Sequence, residues 1–249
     1  MIVREVEAKS ILTKSKLTDY CVNPYSGCEH ACQYCYVPQM PWNKKRFPQW
    51  GESADVKVNA AEVLSRELEK AKRGTVMISS ATDAWQPLEQ KYGIARKCLE
   101  ALAEKDFPIT VLTKSALVTR DADVLKRFSE ATVGLTITTN REKIAAVVEP
   151  RASPVQERFN ALKKLREQGL RTYAFIGPLL PLDVKQLAEQ LYGIDFAFID
   201  CLRYATPALK ALLDENGWSE CLSSAWAEEK KNELAGRLRE KGVEVKPLF

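Results

Sequence analysis

Residues 109–138 read ITVLTKSALVTRDADVLKRFSEATVGLTIT. The first five residues and the last six, VGLTIT at 133–138, are rich in β-branched side chains and have strand length. Between them Val124, Leu125 and Phe128 fall at helical spacing. The stretch is therefore one strand–helix–strand unit. Working outward, further strands are expected at 75–80 (TVMISS), 171–176 (RTYAFI) and 195–201 (DFAFIDC), and another near 20–23. Strand starts at 75, 109, 133, 171 and 195 lie 24 to 38 residues apart, room for one crossover helix each. Helical faces fill the gaps: Val63, Leu64, Leu68 and Ala71; Ile94, Ala95, Cys98, Leu99 and Leu102; Phe159, Leu162 and Leu165; Leu187, Ala188 and Leu191. The third of these is expected to open with Ser153 as N-cap and Pro154 in its first turn, and to stop at Gly169. A charged helix at 228–241 ends at Gly242. Six βα units give an α/β protein with a parallel sheet, and the pattern alone leaves an open doubly wound sheet and a barrel equally available. Both place ligands at the C-terminal ends of the strands.

Composition narrows the class. The 249 residues are 45% hydrophobic and 28% charged, an ordinary globular balance. No run approaches the roughly 18 apolar residues of a membrane span, and MIVREVEAKS lacks the apolar core of a secretory signal, so a cytoplasmic protein without membrane contact is expected. Thirty-seven basic against 33 acidic residues give +4, which permits nucleic acid or an anionic cofactor and requires neither. With no Gly-, Ser- or Pro-rich linker, residues 1–249 are expected to form a single domain: a lead over 1–19, a core over 20–204 and a helical extension over 205–249.

Seven cysteines and one histidine remain; seven is odd, and a cytoplasmic chain is not expected to hold structural disulfides. Three crowd into NPYSGCEHACQYCYV at 23–37, where Cys28, Cys32 and Cys35 have the spacing C-x3-C-x2-C. Three thiolates are one short of a closed four-thiolate site. On a four-iron cluster they leave one iron with an open position. Zinc is the competing reading, and His30 inside the loop is a candidate fourth ligand that would need a sharp fold-back.

The C-x3-C-x2-C spacing, with aromatic Tyr34 before the last cysteine at a strand's end, resembles the radical S-adenosylmethionine (radical SAM) superfamily. The longer string resembles its spore photoproduct lyase-like branch, often labelled DNA repair photolyases. The likeness continues through VKVNA (56–60), ISSATDAWQPLE (78–89), VLTKSALVTRDADVL (111–125), LTITT (135–139), VEPRASPVQERFNAL (148–162) and IGPLLP (176–181).

This resemblance implies a partial (β/α)6 TIM-like barrel. It implies a [4Fe–4S] cluster on Cys28, Cys32 and Cys35 whose unique iron chelates S-adenosylmethionine. One electron from a reductant such as a flavodoxin or ferredoxin then yields methionine and a 5′-deoxyadenosyl radical, which abstracts hydrogen from the substrate. By the same resemblance Thr82 and Asp83 hold the methionine amino group, and Lys114 and Ser115 meet the carboxylate or ribose. Thr136 and Thr138 share one strand face toward the ribose hydroxyls, and Glu149 accepts from ribose or ammonium. Arg158 clamps the carboxylate, and backbone at Gly177 reaches the adenine edge. Polar turns, helix caps and surface charges account for several of these residues equally well. Spore photoproduct lyase has a cysteine hydrogen donor in the segment matching ISSATD; Ser80 stands there in this chain, and a hydroxyl is a far poorer hydrogen-atom donor.

Cys201, ending the last strand, is the candidate catalytic thiol if it points inward, with Asp200, Arg203 and Tyr204 as candidate substrate contacts. Residues 40–50, MPWNKKRFPQW, interleave Lys44, Lys45 and Arg46 with Trp42, Phe47 and Trp50, a pattern suited to stacked bases and phosphates. Two functions are thus expected to compete: a radical SAM enzyme with a lyase- or repair-like reaction on nucleic acid as one candidate, and a non-enzymatic zinc- or nucleic-acid-binding module.

Overall fold

The computed structural model describes residues 1–248; Phe249, the end of the expected extension, lies outside them. The chain opens with strands β1 (Ile2–Val6), β2 (Leu12–Lys14), β3 (Tyr20–Val22) and β4 (Tyr25–Ser26). Helix α1 (Pro41–Lys44), strand β5 (Ser53–Lys57) and helix α2 (Ala60–Leu68) follow. Then come β6 (Val76–Ile78), α3 (Leu88–Tyr92), α4 (Ile94–Glu104), β7 (Ile109–Thr113), α5 (Ala122–Leu125), β8 (Ala131–Thr136), α6 (Glu142–Val148) and α7 (Val155–Glu167). The chain ends with β9 (Arg171–Ile176), α8 (Val184–Gln190), β10 (Phe196–Ile199), α9 (Pro207–Glu215), α10 (Ser224–Glu240) and β11 (Glu244–Lys246).

Strand order decides what periodicity left open. Strands β3, β6, β7, β8, β9 and β10 lie side by side in chain order, every pair parallel. A doubly wound sheet reverses its order at a switch point; this one does not. Successive right-handed crossovers then put the helices on one face. One continuous core joins that face, through Ile78, Val111, Leu135, Ala174 and Ile199, to Leu64, Leu99, Leu125, Leu162 and Leu187 of the helices. The opposite face has its own aromatic cluster of Tyr173, Phe196 and Phe198, with Leu112, Phe175 and Leu248 against it. A sheet with helices on one side buries its other face by curling, which makes the partial (β/α)6 barrel.

Close packing fixes the curl. Leu112, Gly134 and Tyr173 stand in register on β7, β8 and β9. The Tyr173 ring occupies the space a Gly134 side chain would need, and its hydroxyl donates to Val111 O at 2.9 Å. The ladder is extended by antiparallel β2 beside β3 and by parallel β11 beside β10. The lead carries structure of its own: β1 pairs with β5, and β5 with β4, in a separate three-stranded sheet.

Several expected boundaries shift. The strand expected at 133–138 runs over Ala131–Thr136, so Thr138 lies in the following loop. The α7 N-cap is Pro154 rather than Ser153, because the Ser153 hydroxyl accepts instead from Ala116 N at 2.9 Å. Among the described residues no helix is long and apolar enough to cross a membrane.

Candidate active site

The cysteine loop leaves the C-terminal end of β3 and is held from three sides. Gly27 has φ +77°, and a side chain there would meet Ser53 O at 2.5 Å and the Phe47 ring at 3.0 Å. Gly51, at φ +91°, leaves no room for a side chain against Ala31. Within the loop Cys35 N donates to Cys32 O at 3.1 Å, and Gln33 N donates to Val148 O at 2.8 Å. Glu29 N donates to Gln86 Oε1 at 2.8 Å, and Gln86 Nε2 in turn reaches Thr82 Oγ1 at 3.2 Å. Cys28 and Cys32 are buried and Cys35 is half-buried. Burial pushes all three thiols up, Cys32 to about 12; Asp83, Cys32 and Cys35 add to the rise at Cys28, and Glu149 and Cys35 to that at Cys32. The three thiols therefore sit within electrostatic reach of one another. Among the described residues no three Cys, His, Asp or Glu side chains converge to hold a single metal ion.

Asp83, after β6, sits beneath this loop. Its Oδ1 accepts from Thr113 Oγ1 at 2.6 Å and Trp85 N at 2.9 Å, and its Oδ2 accepts from Lys114 N at 2.9 Å. His30 Nδ1 lies 3.4 Å from Oδ2. Burial would raise the Asp83 pKa, but His30 and these donors hold it well below the usual carboxylate range. His30 is thereby turned onto Asp83.

The second group centres on Glu149, which is 2% exposed. Its Oε1 accepts from the Tyr34 hydroxyl and from Thr138 Oγ1 at 3.2 Å. Arg158 Nη1 lies 2.6 Å from Oε2; this contact is an ion pair without an aligned hydrogen bond. The Lys114 ammonium lies 5.6 Å from the centre of the Tyr34 ring. Burial opposes ionisation of Glu149, yet Arg158 and Lys114 together bring its pKa below the ordinary value. Lys114 is held charged, against burial, by Cys32, Glu149 and Asp83. Residues after β3, β6, β7 and β8 thus form one electrostatic unit around the thiols.

Other expected residues are placed differently. Thr82 Oγ1 donates to Gly27 O at 2.5 Å, which ties it to the cysteine loop. Ser115 Oγ caps a 3-10 turn by accepting from Leu117 N at 3.3 Å. Arg158 is committed inward: Nε donates to Ser153 O at 2.7 Å and Nη1 to Thr136 O at 3.1 Å. Thr136 is buried in the same place. Gly177 fits between the Phe175 ring and Asp200, with no space for a side chain. Cys201 is not brought to the group. It lies two residues past the end of β10, half-buried, and the charges that act on its thiol are those of Lys231, Asp200, Glu228 and Arg203. In residues 40–50, Phe47 is 2% exposed, Trp50 is mostly buried and Arg46 pairs with Asp55, so only Trp42 presents an open ring.

Sequence reasoning missed Asn23, whose Oδ1 accepts from Ser80 N and Ala81 N, both at 3.0 Å, and whose Nδ2 lies 3.2 Å from Ser80 Oγ. It also missed the Tyr36 hydroxyl, which donates to Ser80 O at 2.9 Å. The Asn23-Pro24 pair was the available signal for the first.

A partial barrel with three cysteines on the loop after its first strand defines a class, and comparison with known proteins agrees. The radical SAM superfamily model matches residues 22–189, and the chain belongs to that superfamily. An uncharacterized protein of Methanocaldococcus jannaschii is 33% identical over 219 residues, covering 85% of this chain and 82% of that one. The Radical SAM Nalpha-GlyT isomerase of Pseudomonas phage M6 is 26% identical over 198 residues, covering 77% of this chain and 40% of the phage protein. Among solved structures, a spore photoproduct lyase variant superposes with TM-score 0.74 at 16% identity, covering 99% of this chain and 82% of its own. Another variant of that lyase, solved with bound AdoMet and dinucleoside spore photoproduct, gives TM-score 0.70 at 16% identity, covering 98% and 80%. The family implies an iron–sulfur cluster and S-adenosylmethionine as cofactors.

Proposed function

We propose that Cys28, Cys32 and Cys35 hold a single [4Fe–4S] cluster, and that Asp83, Lys114 and Glu149 orient S-adenosylmethionine beside it. The donor chemistry fits. A cubane takes one thiolate per iron, so its ligands need mutual proximity rather than convergence on one point. The three thiols interact electrostatically without forming a single-ion site. Their raised pKa values reflect burial and mutual repulsion, both relieved when irons take the thiolates. When bound, the cluster and S-adenosylmethionine supply a one-electron cleavage that yields methionine and a 5′-deoxyadenosyl radical.

The chain's own groups prepare that step. Lys114, kept cationic between Cys32, Glu149 and Asp83, is the ligand for a carboxylate. Asp83 and Glu149, kept anionic, suit an ammonium or ribose hydroxyls. Arg158 positions Glu149 rather than touching the cofactor. Thr82 and Ser115 shape the backbone, and Tyr34 carries the contact between the cysteine loop and Glu149.

The observation that carries this reading is the convergence of Asp83, Lys114 and Glu149 on the cysteine loop from separate strand ends. A lyase-like reaction on nucleic acid is supported by the dinucleoside found in the lyase neighbour, and a compartment that keeps thiols reduced by the seven free cysteines. Ser80 argues against the same hydrogen-return route, since a hydroxyl donates hydrogen atoms poorly. Anaerobic reconstitution followed by dithionite tests the proposal. Brown protein with iron and 5′-deoxyadenosine is expected, both lost on Cys28→Ala, Cys32→Ala or Cys35→Ala. Well-folded protein that takes up zinc and forms no 5′-deoxyadenosine refutes it. A rise in that product on adding single-stranded DNA is expected for a nucleic-acid substrate.

A further inference from the structure

We infer that residues 37–51 form the docking face for a small acidic one-electron carrier protein. This rests on the cluster assignment above, because an electron must reach the cysteine loop from outside. Such transfer weakens steeply with distance, so a donor has to seat on the layer covering that loop.

Residues 37–51 are such a layer. Phe47, 2% exposed, packs against Gly27 beside Cys28, and Gly51 packs against Ala31 beside Cys32. The segment is braced within itself and against its neighbours. Asn43 Nδ2 donates to Val37 O at 3.1 Å, and Phe47 N donates to Asn43 O at 2.8 Å. Arg151 Nη1 donates to Gly51 O at 2.5 Å.

Its outer side is cationic. Lys44 and Lys45 are exposed, with no carboxylate partner among the described residues. Arg46 and Arg4 are half-exposed and share the buried carboxylate of Asp55, which leaves one positive charge in excess from that trio. Trp42, 68% exposed, lies in α1, which ends at Lys44; Lys45 caps it and Arg46 follows in the turn beyond. Exposed cations beside one open indole in a single short segment are the composition of a binding hot spot for an acidic surface. Nucleic acid fits less well, because burial of Phe47 and Trp50 removes the successive stacking faces that single strands use. Docking transfers one electron and no atoms: the carrier is left oxidised by one electron, and the cysteine-loop site gains it.

The experiment uses reconstituted full-length protein and flavodoxin as the acidic carrier. Binding is measured by titration at low and physiological salt, for wild type and for the K44E/K45E double variant. We expect salt-sensitive binding by wild type, weakened about tenfold or more in the variant. Product formation driven by reduced flavodoxin should fall in proportion, while iron content and dithionite-driven product stay unchanged. Lys45→Gln, which adds no negative charge, should give a smaller loss in the same direction. Unchanged flavodoxin affinity in K44E/K45E overturns the inference, as does equal loss of the dithionite-driven reaction. Loss of single-stranded DNA binding with flavodoxin binding intact assigns the face to nucleic acid instead. Absence of dithionite-driven product in wild type refutes the cluster assignment alone, since the affinity measurement reads docking separately.

Discussion

Replacing Arg158 with methionine isolates the buried ion pair on which the Glu149 group depends. Arg158 and Glu149 are 1% and 2% exposed. Removing the cation leaves an ionised carboxylate with Tyr34, Thr138 and the more distant Lys114, and it removes donors to Ser153 O and Thr136 O. Breaking one side of a buried pair costs about 3–5 kcal/mol. The two lost carbonyl partners lie within the same relaxation, so about 4 kcal/mol is expected for Arg158→Met, about a thousandfold in the folding equilibrium. Glu149→Gln keeps the shape and leaves Arg158 without its counter-charge, which predicts a loss of about 3 kcal/mol. The double variant R158M/E149Q removes both charges, so the double-mutant cycle should show about 2–3 kcal/mol of coupling. Urea unfolding of metal-free protein reads these values as midpoint shifts at constant slope. If Arg158→Met costs under about 1 kcal/mol, or if the two single losses simply add, the pair does not hold the group together and the reasoning fails.

Other outcomes follow from single contacts. Gly51→Ala forces a left-handed backbone onto alanine and presses on Ala31; a loss of about 1–3 kcal/mol is expected, together with reduced iron retention after reconstitution, read by thermal melting and metal analysis. Tyr173→Phe removes the bond to Val111 O inside the barrel. It should cost about 1 kcal/mol in urea unfolding and leave cofactor loading unaltered. Cys201→Ser should keep iron content and 5′-deoxyadenosine formation within about twofold of wild type, since the charges acting on its thiol are Lys231, Asp200, Glu228 and Arg203 and none of the Asp83, Lys114 and Glu149 set; a collapse of product yield would show that Cys201 reaches the chemistry.

The β/α alternation was legible because each unit is local: β7 and β9 have the bounds their β-branched runs suggest. The choice between barrel and open sheet was not, because it depends on which strands are neighbours, a non-local fact. The three-stranded sheet was missed because IVREV and SADVK mix charge and apolar residues without a turn signal joining them. In the site, the cysteine spacing and the carboxylates were readable as residue types. Their pairings were not, as Glu149 and Arg158 come from separate turns and meet only after α6 and α7 dock. The orientation of Cys201 was not legible for a physical reason. FAFI is buried on both faces, so alternation of polarity, the usual guide to which side faces inward, is absent.

The sequential strand order has a consequence for how such a protein changes its reaction. Each strand end belongs to its own contiguous stretch of chain. The groups gathered around the thiols come from the loops after β3, β6, β7 and β8, while the stretches after β9 and β10 contribute none of the Asp83, Lys114 and Glu149 set. Within residues 177–183 and 200–206 the anchors to that scaffold are few and specific: Gly177 has no room for a side chain, Leu180 N donates to Thr138 O at 3.0 Å, Pro181 O accepts from Thr139, and Leu180, Leu202 and Ala205 pack in one cluster with Val148 and Tyr34. A lineage built this way can diversify its substrates at the positions between those anchors, and a designer can do the same.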